Sequence, residues 1–204
     1  MIDKALAFIG QEVNKYFDVR FGANTEKHVK LGNVARLTDN ESAQTPPTGV
    51  VFGVVNIEED RISKSPDNFR KVGQDKIEYI HPKVYLNLYL LFAVNLTSYT
   101  ETLKHLSALV QFFQHRYLFT SNQNPGLDAN IDKLIVELHS LNFEQLNHLW
   151  GILGGKYLPS ALYKMRVVGI QEEKVEATAK PILEIENELL HWDGIAPIPQ
   201  GSSA

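Results

Sequence analysis

Three stretches of the chain carry apolar residues at the three- and four-residue spacing of an amphipathic helix. Residues 2–17 show this pattern first, residues 98–117 repeat it behind a capping box, and residues 143–153 form a shorter third example. We expect the apolar stripe of each helix to be buried against the rest of the domain. In the long second helix this stripe comprises Tyr99, Leu103, Leu106, Val110, Phe113 and Tyr117.

Other stretches have the character of β-strands. Residues 49–57 and 84–94 are apolar on both alternating faces, which is typical of central strands that are covered on both sides. Residues 134–138 and 161–171 alternate with one more polar face, and residues 28–37 carry a short β-like pattern. Because the long helix and the strands must bury their apolar faces against each other, the order of elements predicts a layered α+β domain.

Two long polar stretches and the C-terminal stretch interrupt this pattern. We expect residues 39–48 and 58–75 to be exposed connections, since they are rich in charge, proline or glycine. Residues 1–171 are predicted to form one domain, and residues 172–204 a charged arm with a Pro-, Gly- and Ser-rich end. The arm also has apolar residues that suit either a strand added to a neighbour's sheet or a helix folding back: Ile182, Leu183, Ile185, Leu189, Leu190 and Trp192.

Composition narrows the possible chemistry. The 204 residues include no cysteine, which excludes thiol catalysis, disulfides and cysteine-based metal sites. A formal net charge of -4 provides no net basic field for nucleic acid. Phosphate-loop, nucleophile-elbow and dinucleotide fingerprints do not occur, and the seven histidines never take the spacing that puts two metal ligands on one helix face. We expect no cofactor, no metal and no nucleic-acid partner.

Nothing in the sequence predicts export or membrane insertion. The first residues lack the basic segment and apolar run of a secretion signal. The most apolar stretch, residues 84–96, contains Asn87 and Asn95 and is shorter than the roughly 18 to 20 residues that span a bilayer. We therefore expect a cytoplasmic protein without a membrane span.

A specific series of residues follows the third helix pattern. A Leu-x-x-hydrophobic-Trp helix leads through a glycine break and an aromatic residue to Pro-Ser and an aromatic strand start, at positions Leu146, Trp150, Gly154, Tyr157, Pro159, Ser160 and Tyr163. This segment resembles the closing segment of the tail-terminator, or cap, family of contractile injection systems of the antifeeding-prophage type. Residues 2–13 and 84–94 also look like that family's first helix and central strand. The resemblance implies a mixed, largely antiparallel sheet packed against a long helix and an N-terminal helix.

The same resemblance implies a structural cap rather than an enzyme. Such a cap forms a homohexameric ring at the baseplate-distal end of the inner tube, contacts the last sheath ring and ends tail growth. Its partners are copies of itself, the inner tube protein and the sheath protein, at the distal tip of the particle. We place its candidate contacts in the two polar connections and the arm, at Asp39, Asn40, Glu41, Arg61, Phe69, Arg70, Ile182, Ile185, Leu189 and Trp192.

The large rings Trp150, Tyr157 and Tyr163 suit a core better than an interface. Two other functions remain open at this point. One is an assembly chaperone or adaptor that leaves the particle before completion. The other is a small-molecule enzyme whose site lies between the sheet and the polar loops and uses His81 or His139 with a nearby carboxylate.

Overall fold

The structure is a computed structural model, and it describes residues 1–23, 26–37, 48–60, 69–72, 76–80, 84–154, 156–170 and 175–179. Within these ranges the helices are α1 (Ile2–Phe21), α2 (Tyr99–His115) and α3 (Phe143–Ile152), with a short 3-10 helix at Val34–Leu37. The strands are β1 (Val29–Leu31), β2 (Gly49–Glu59), β3 (Phe69–Val72), β4 (Lys76–Ile80), β5 (Val84–Asn95), β6 (Leu118–Thr120), β7 (Lys133–Leu138), β8 (Ser160–Ile170) and β9 (Val175–Ala179).

Six of the strands form one mixed sheet in the order β1-β2-β5-β8-β7-β6. The β1–β2 pair is parallel and the other neighbours are antiparallel. The strands β3, β4 and β9 form a second, antiparallel sheet. The predicted α+β class, with its largely antiparallel sheet against a long helix and an N-terminal helix, is confirmed.

The six-stranded sheet is covered on both faces. On the first face, α1 and α2 pack over the stacked rings of Phe52 and Phe92, whose centroids lie 4.8 Å apart. On the second face, Trp150 of α3 and the 3-10 helix pack over a smaller cluster that includes Leu91 and Leu162. This double coverage explains why β2 and β5 are apolar on both alternating sides.

The predicted apolar stripe of α2 is confirmed at Phe113 and, partly buried, at Leu106, and it is wrong at its other positions. The side chains that α2 buries are Thr102, His105, Ala108, Leu109, Phe112 and Phe113. Leu103 and Val110 are exposed, and Tyr117 lies beyond the end of the helix. His105 can be buried because its Nδ1 lies 2.8 Å from the Glu101 carbonyl oxygen. This contact within the helix satisfies that ring nitrogen.

The polar connection predicted at residues 58–75 is also wrong in part. β2 continues to Glu59, and residues 69–72 form β3, whose backbone pairs with β4. The first residues of the predicted arm include β9, which pairs with β4 on its other side. The division of the chain at residue 171 stays a prediction, and residues 180–204 lie outside the described part.

Asn14 of α1 closes one edge of the six-stranded sheet. His28 O and Gly32 N bond to β2, so the backbone groups of Val29 between them point away from the sheet. The Val29 N–H donates to Asn14 Oδ1 over 2.9 Å, and Asn14 Nδ2 donates to the Val29 carbonyl over 2.7 Å. Since the side-chain amide takes the place of a neighbouring strand, this edge is protected against ladder extension at Val29.

We expect Asn14→Ala to lower the free energy of unfolding by about 1 to 3 kcal/mol, because it leaves both backbone groups of the buried Val29 without partners. Urea titration followed by circular dichroism measures the change. Gln11→Ala is the matched control, since Gln11 is exposed on the same helix and its change should stay within about 0.5 kcal/mol. Equal effects of the two substitutions would contradict the clamp.

Candidate assembly surface

An apolar groove lies between α2 and the end of β7. Its walls are Val110, Phe113 and Tyr117 from the helix side and Val136 and Leu138 from the strand. Its volume is about 420 Å³. Leu138 is 55% exposed, so this groove is an open apolar surface rather than an enclosed core cavity.

The groove exists because β6 is shorter than β7. β6 pairs with β7 only as far as Leu118 opposite Ile135, and the Val136 N–H then donates to the Tyr117 carbonyl over 2.7 Å. Beyond that bond the chain turns into α2, and no strand among the described residues continues along Leu138 on this side. The helix and the strand therefore diverge and leave the space between them open.

Among the residues that the structure describes, none forms a hydrogen bond with the hydroxyl of Tyr163 at this groove. Tyr163 is 1% exposed, lines the groove and packs its ring against Phe113 at a centroid distance of 4.6 Å. Its Oη is fully buried, and no donor or acceptor in the described part of the chain bonds to it. Burial raises the pKa of Tyr163 to about 12. A buried hydroxyl without a partner lowers the stability of the folded chain.

A second depression continues the groove around the end of the sheet. It has a volume of about 360 Å³ and shares Val110 and Leu138 with the first groove. Leu146 of α3 and Tyr157 line its far side. The two depressions together make one apolar surface from α2 to α3, which is typical of a protein contact.

The resemblance motif is divided between the two faces of the sheet. Trp150 is buried in the second-face cluster, where Leu146 packs against it partly buried. Tyr163 is buried on the first face. Gly154 has a positive φ of 107°, which suits glycine after a helix end. The Pro159 carbonyl accepts a hydrogen bond from the Val94 N–H.

Tyr157, which the sequence placed with the core, is instead 59% exposed. Its ring makes an edge contact with Trp150 at 5.7 Å. The motif therefore positions an accessible aromatic ring beside the apolar surface as well as core residues.

Most of the predicted contact residues stay predictions. Phe69 and Arg70 lie in β3, where the backbone pairs them with Tyr79 and Glu78. The others lie outside the described residues: Asp39, Asn40, Glu41, Arg61, Ile182, Ile185, Leu189 and Trp192. The groove residues Leu138 and Tyr163 were not among the predicted contacts. The alternation of residues 134–138 already placed Leu138 on the apolar side of its strand.

His139, one of the two histidines that the sequence offered for catalysis, lies in a small cluster with Tyr89 and Glu58 on the second face. The ring of His139 meets Tyr89 edge-on at 5.2 Å, and the Tyr89 hydroxyl donates to Glu58 Oε2 over 2.9 Å. Burial, and then the bond to Glu58, raise the pKa of Tyr89. His81 lies outside the described residues. The arrangement joins Tyr89, rather than His139, to the carboxylate.

Among the described residues, no three His, Cys, Asp or Glu side chains come together as a metal site requires. None of the helices in the described part of the chain has the length and apolarity needed for a bilayer crossing.

The sequence matches the profile of the Pvc16 N-terminal domain over residues 6–184. Its fold is similar to the sheath/tube terminator of PVC, an extracellular contractile injection system, in the extended state. That match has a TM-score of 0.57 and 14% identity and covers 95% of this chain and 64% of the other. No curated protein sequence matches significantly.

The fold is also similar to the tube-terminating cap of the anti-feeding prophage. That match has a TM-score of 0.53 and 14% identity and covers 89% of this chain and 60% of the other. The chain thus spans a little over three fifths of the first of these proteins and three fifths of the second. The family resemblance inferred from the sequence is confirmed.

We expect Tyr163→Phe to stabilise the isolated chain by about 1 kcal/mol, because it removes a buried hydroxyl without a partner and keeps the ring. Tyr89→Phe is the matched control. It removes a hydroxyl that donates to Glu58, and should be neutral or cost about 0.5 to 1 kcal/mol. Thermal and urea unfolding of both variants measure whether the free energy of unfolding rises or falls in each. A loss of stability in Tyr163→Phe as large as in the control would contradict the assignment.

Proposed function

The chain belongs to the Pvc16 N-terminal domain family, and we propose that it is a structural terminator of a contractile injection system. In this role it caps the baseplate-distal end of the inner tube and the last sheath ring, and so ends tail growth. The observation that carries the proposal is the family match over residues 6–184. The likeness of 95% of the chain to a sheath/tube terminator supports it.

The physics of filament growth explains why such a protein is needed. Rings that stack head-to-tail make heterologous contacts that do not close along the axis, so growth continues while each new ring exposes another seat. A terminator offers a matching face on one side only. Around the axis, in contrast, its own contacts must close, and we propose a homohexameric ring in which each copy presents two different lateral surfaces.

The apolar surface between α2 and α3 suits a role in assembly. Phe143, at the start of α3, is 90% exposed, and Ile152 at its end is also exposed. Leu138 and Tyr157, which line the apolar surface itself, are exposed as well. We propose that partner surfaces of the particle cover part of this region.

We propose that the role is structural rather than catalytic. The α2–β7 groove is lined mainly by apolar side chains, and Glu137 is its one charged lining residue. A substrate site usually brings several polar groups together in a pocket, whereas an apolar groove with one unpartnered hydroxyl suits a protein segment. The inner tube protein and the sheath protein are the proposed partners, and assembly in the cytoplasm is the proposed location.

Deleting the protein should leave tube polymerisation intact but broaden the distribution of particle lengths, because growth loses its stop. Electron microscopy of purified particles measures the lengths. Restoring the chain from a plasmid is the control and should narrow the distribution again. Uniform particles of normal length in the deletion strain would overturn the terminating role. Absence of the chain from complete particles that do depend on it would instead favour an assembly chaperone.

A further inference from the structure

We propose that the α2–β7 groove is a strand-addition site, and that the C-terminal segment of a neighbouring copy, residues 182–192, occupies it in the ring. This inference rests on the proposed ring-forming function. It identifies one of the two lateral contacts that such a ring requires. A strand-addition site needs a free backbone edge, a pocket for alternate side chains and an extended segment that can reach it.

The free backbone edge is at Leu138. The His139 N–H donates to the Leu162 carbonyl of β8, whereas the Val136 N–H points the other way and donates to Tyr117. The N–H and C=O groups of successive residues point to alternate sides of a strand. Those of Leu138 therefore point in the same direction as those of Val136, away from β8. β6 begins at Leu118 opposite Ile135, and no strand among the described residues pairs with Leu138 on that side.

The pocket for side chains is next to this edge. A strand added along Leu138 would lie between β7 and α2 and would direct every second side chain toward Val110 and Tyr117. The buried Tyr163 hydroxyl, which has no partner among the described residues, lies beside the same groove.

The C-terminal segment has the pattern that such a groove selects. Leu183 and Ile185 alternate with Glu184 and Glu186, which gives an extended chain one apolar and one acidic face. The apolar side chains would enter the groove and the carboxylates would face solvent. The opposite edge of the sheet is less suited to an added strand, because the side-chain amide of Asn14 already bonds to the outward N–H and C=O of Val29.

The topology directs the segment toward a neighbour. Val175 of β9 pairs with Ile80, close to the connection into β5, and Ala179 pairs with Ile77 farther along β4. The chain therefore leaves β9 heading away from the six-stranded sheet. If the residues after Ala179 ran back along β9 and β8 to Tyr163 of the same chain, the path would measure about 40 Å and use about 12 extended residues.

That return path would place residues near 191, rather than Leu183 and Ile185, in the groove of their own chain. In the forward direction, residues 180–192 span up to about 43 Å when extended. Because this path does not bring Leu183 and Ile185 to the groove of their own chain, we assign them to the groove of an adjacent copy.

Disulfide trapping tests the proposal directly, because the chain has no cysteine of its own. Full-length chains carrying Leu138→Cys are mixed with chains carrying Ile185→Cys in assembled rings, and mild oxidation is followed on non-reducing gels. Only a contact between two copies can give the mixed dimer. Val19→Cys replaces Leu138→Cys as the control, since Val19 on α1 is 89% exposed. We expect the mixed dimer to form at least about tenfold faster with Leu138→Cys than with the control, given the proximity that a shared ladder imposes.

Equal rates for the two positions would overturn the proposal. So would a bridge that forms within single chains of a Leu138→Cys/Ile185→Cys double variant at high dilution. A second pair of variants tests the interaction without a disulfide: Ile185→Asp should abolish ring formation without lowering the melting temperature, and Glu184→Gln should preserve the ring. If rings form and stay on particles without the Leu138–Ile185 cross-link, strand addition fails and the terminator function stands. If no ring forms and the chain is absent from particles, the proposed function itself fails.

Discussion

The double burial of β5 is the constraint on which the rest of the structure depends. Leu88, Leu90 and Phe92 are buried on one face of this strand, and Leu91 and Ala93 on the other. A strand of this kind is stable only when both faces of its sheet are covered. The positions of α1, α2, α3 and the 3-10 helix follow from this requirement, since each packs on one of the two resulting clusters.

Coverage is complete at the centre of the sheet and incomplete beside β7. With 17 residues, α2 is about 25 Å long. Its buried face packs against the aromatic rings around Phe92. Its other apolar side chains, among them Val110, remain at the surface beside Leu138. The same hydrophobic interaction that builds the core thus leaves an apolar surface that a partner can cover, which suits assembly better than catalysis.

The sequence predicted the elements with strong periodicity and failed where side chains depend on distant neighbours. The central strands and three helices were predictable because their patterns are long. The buried face of α2 was not, because apolar residues occur on both sides of the helix and the polar Thr102 and His105 turned out to be buried. β3 was missed since its four residues include two charges.

The functional details were least accessible to sequence reasoning. The clamp at Val29 joins residues 15 positions apart in the chain, so no local pattern reveals that Asn14 closes an edge. Whether the hydroxyl of Tyr163 has a partner depends on the hydrogen-bonding groups of the residues packed around it, which are distant in sequence. Tyr157 is exposed although its aromatic character suggested the core. The terminator family was indicated by the motif from Leu146 to Tyr163 together with the segments at residues 2–13 and 84–94.

The central claim is that this chain fits one end of a growing tube and leaves no seat for another ring. Gold labelling tests it most directly: purified tagged chain is added to tube fragments and the label is located by electron microscopy. The account predicts label at one end of each fragment and no further elongation there. Label distributed along the tube, or labelled ends that keep growing, would contradict it.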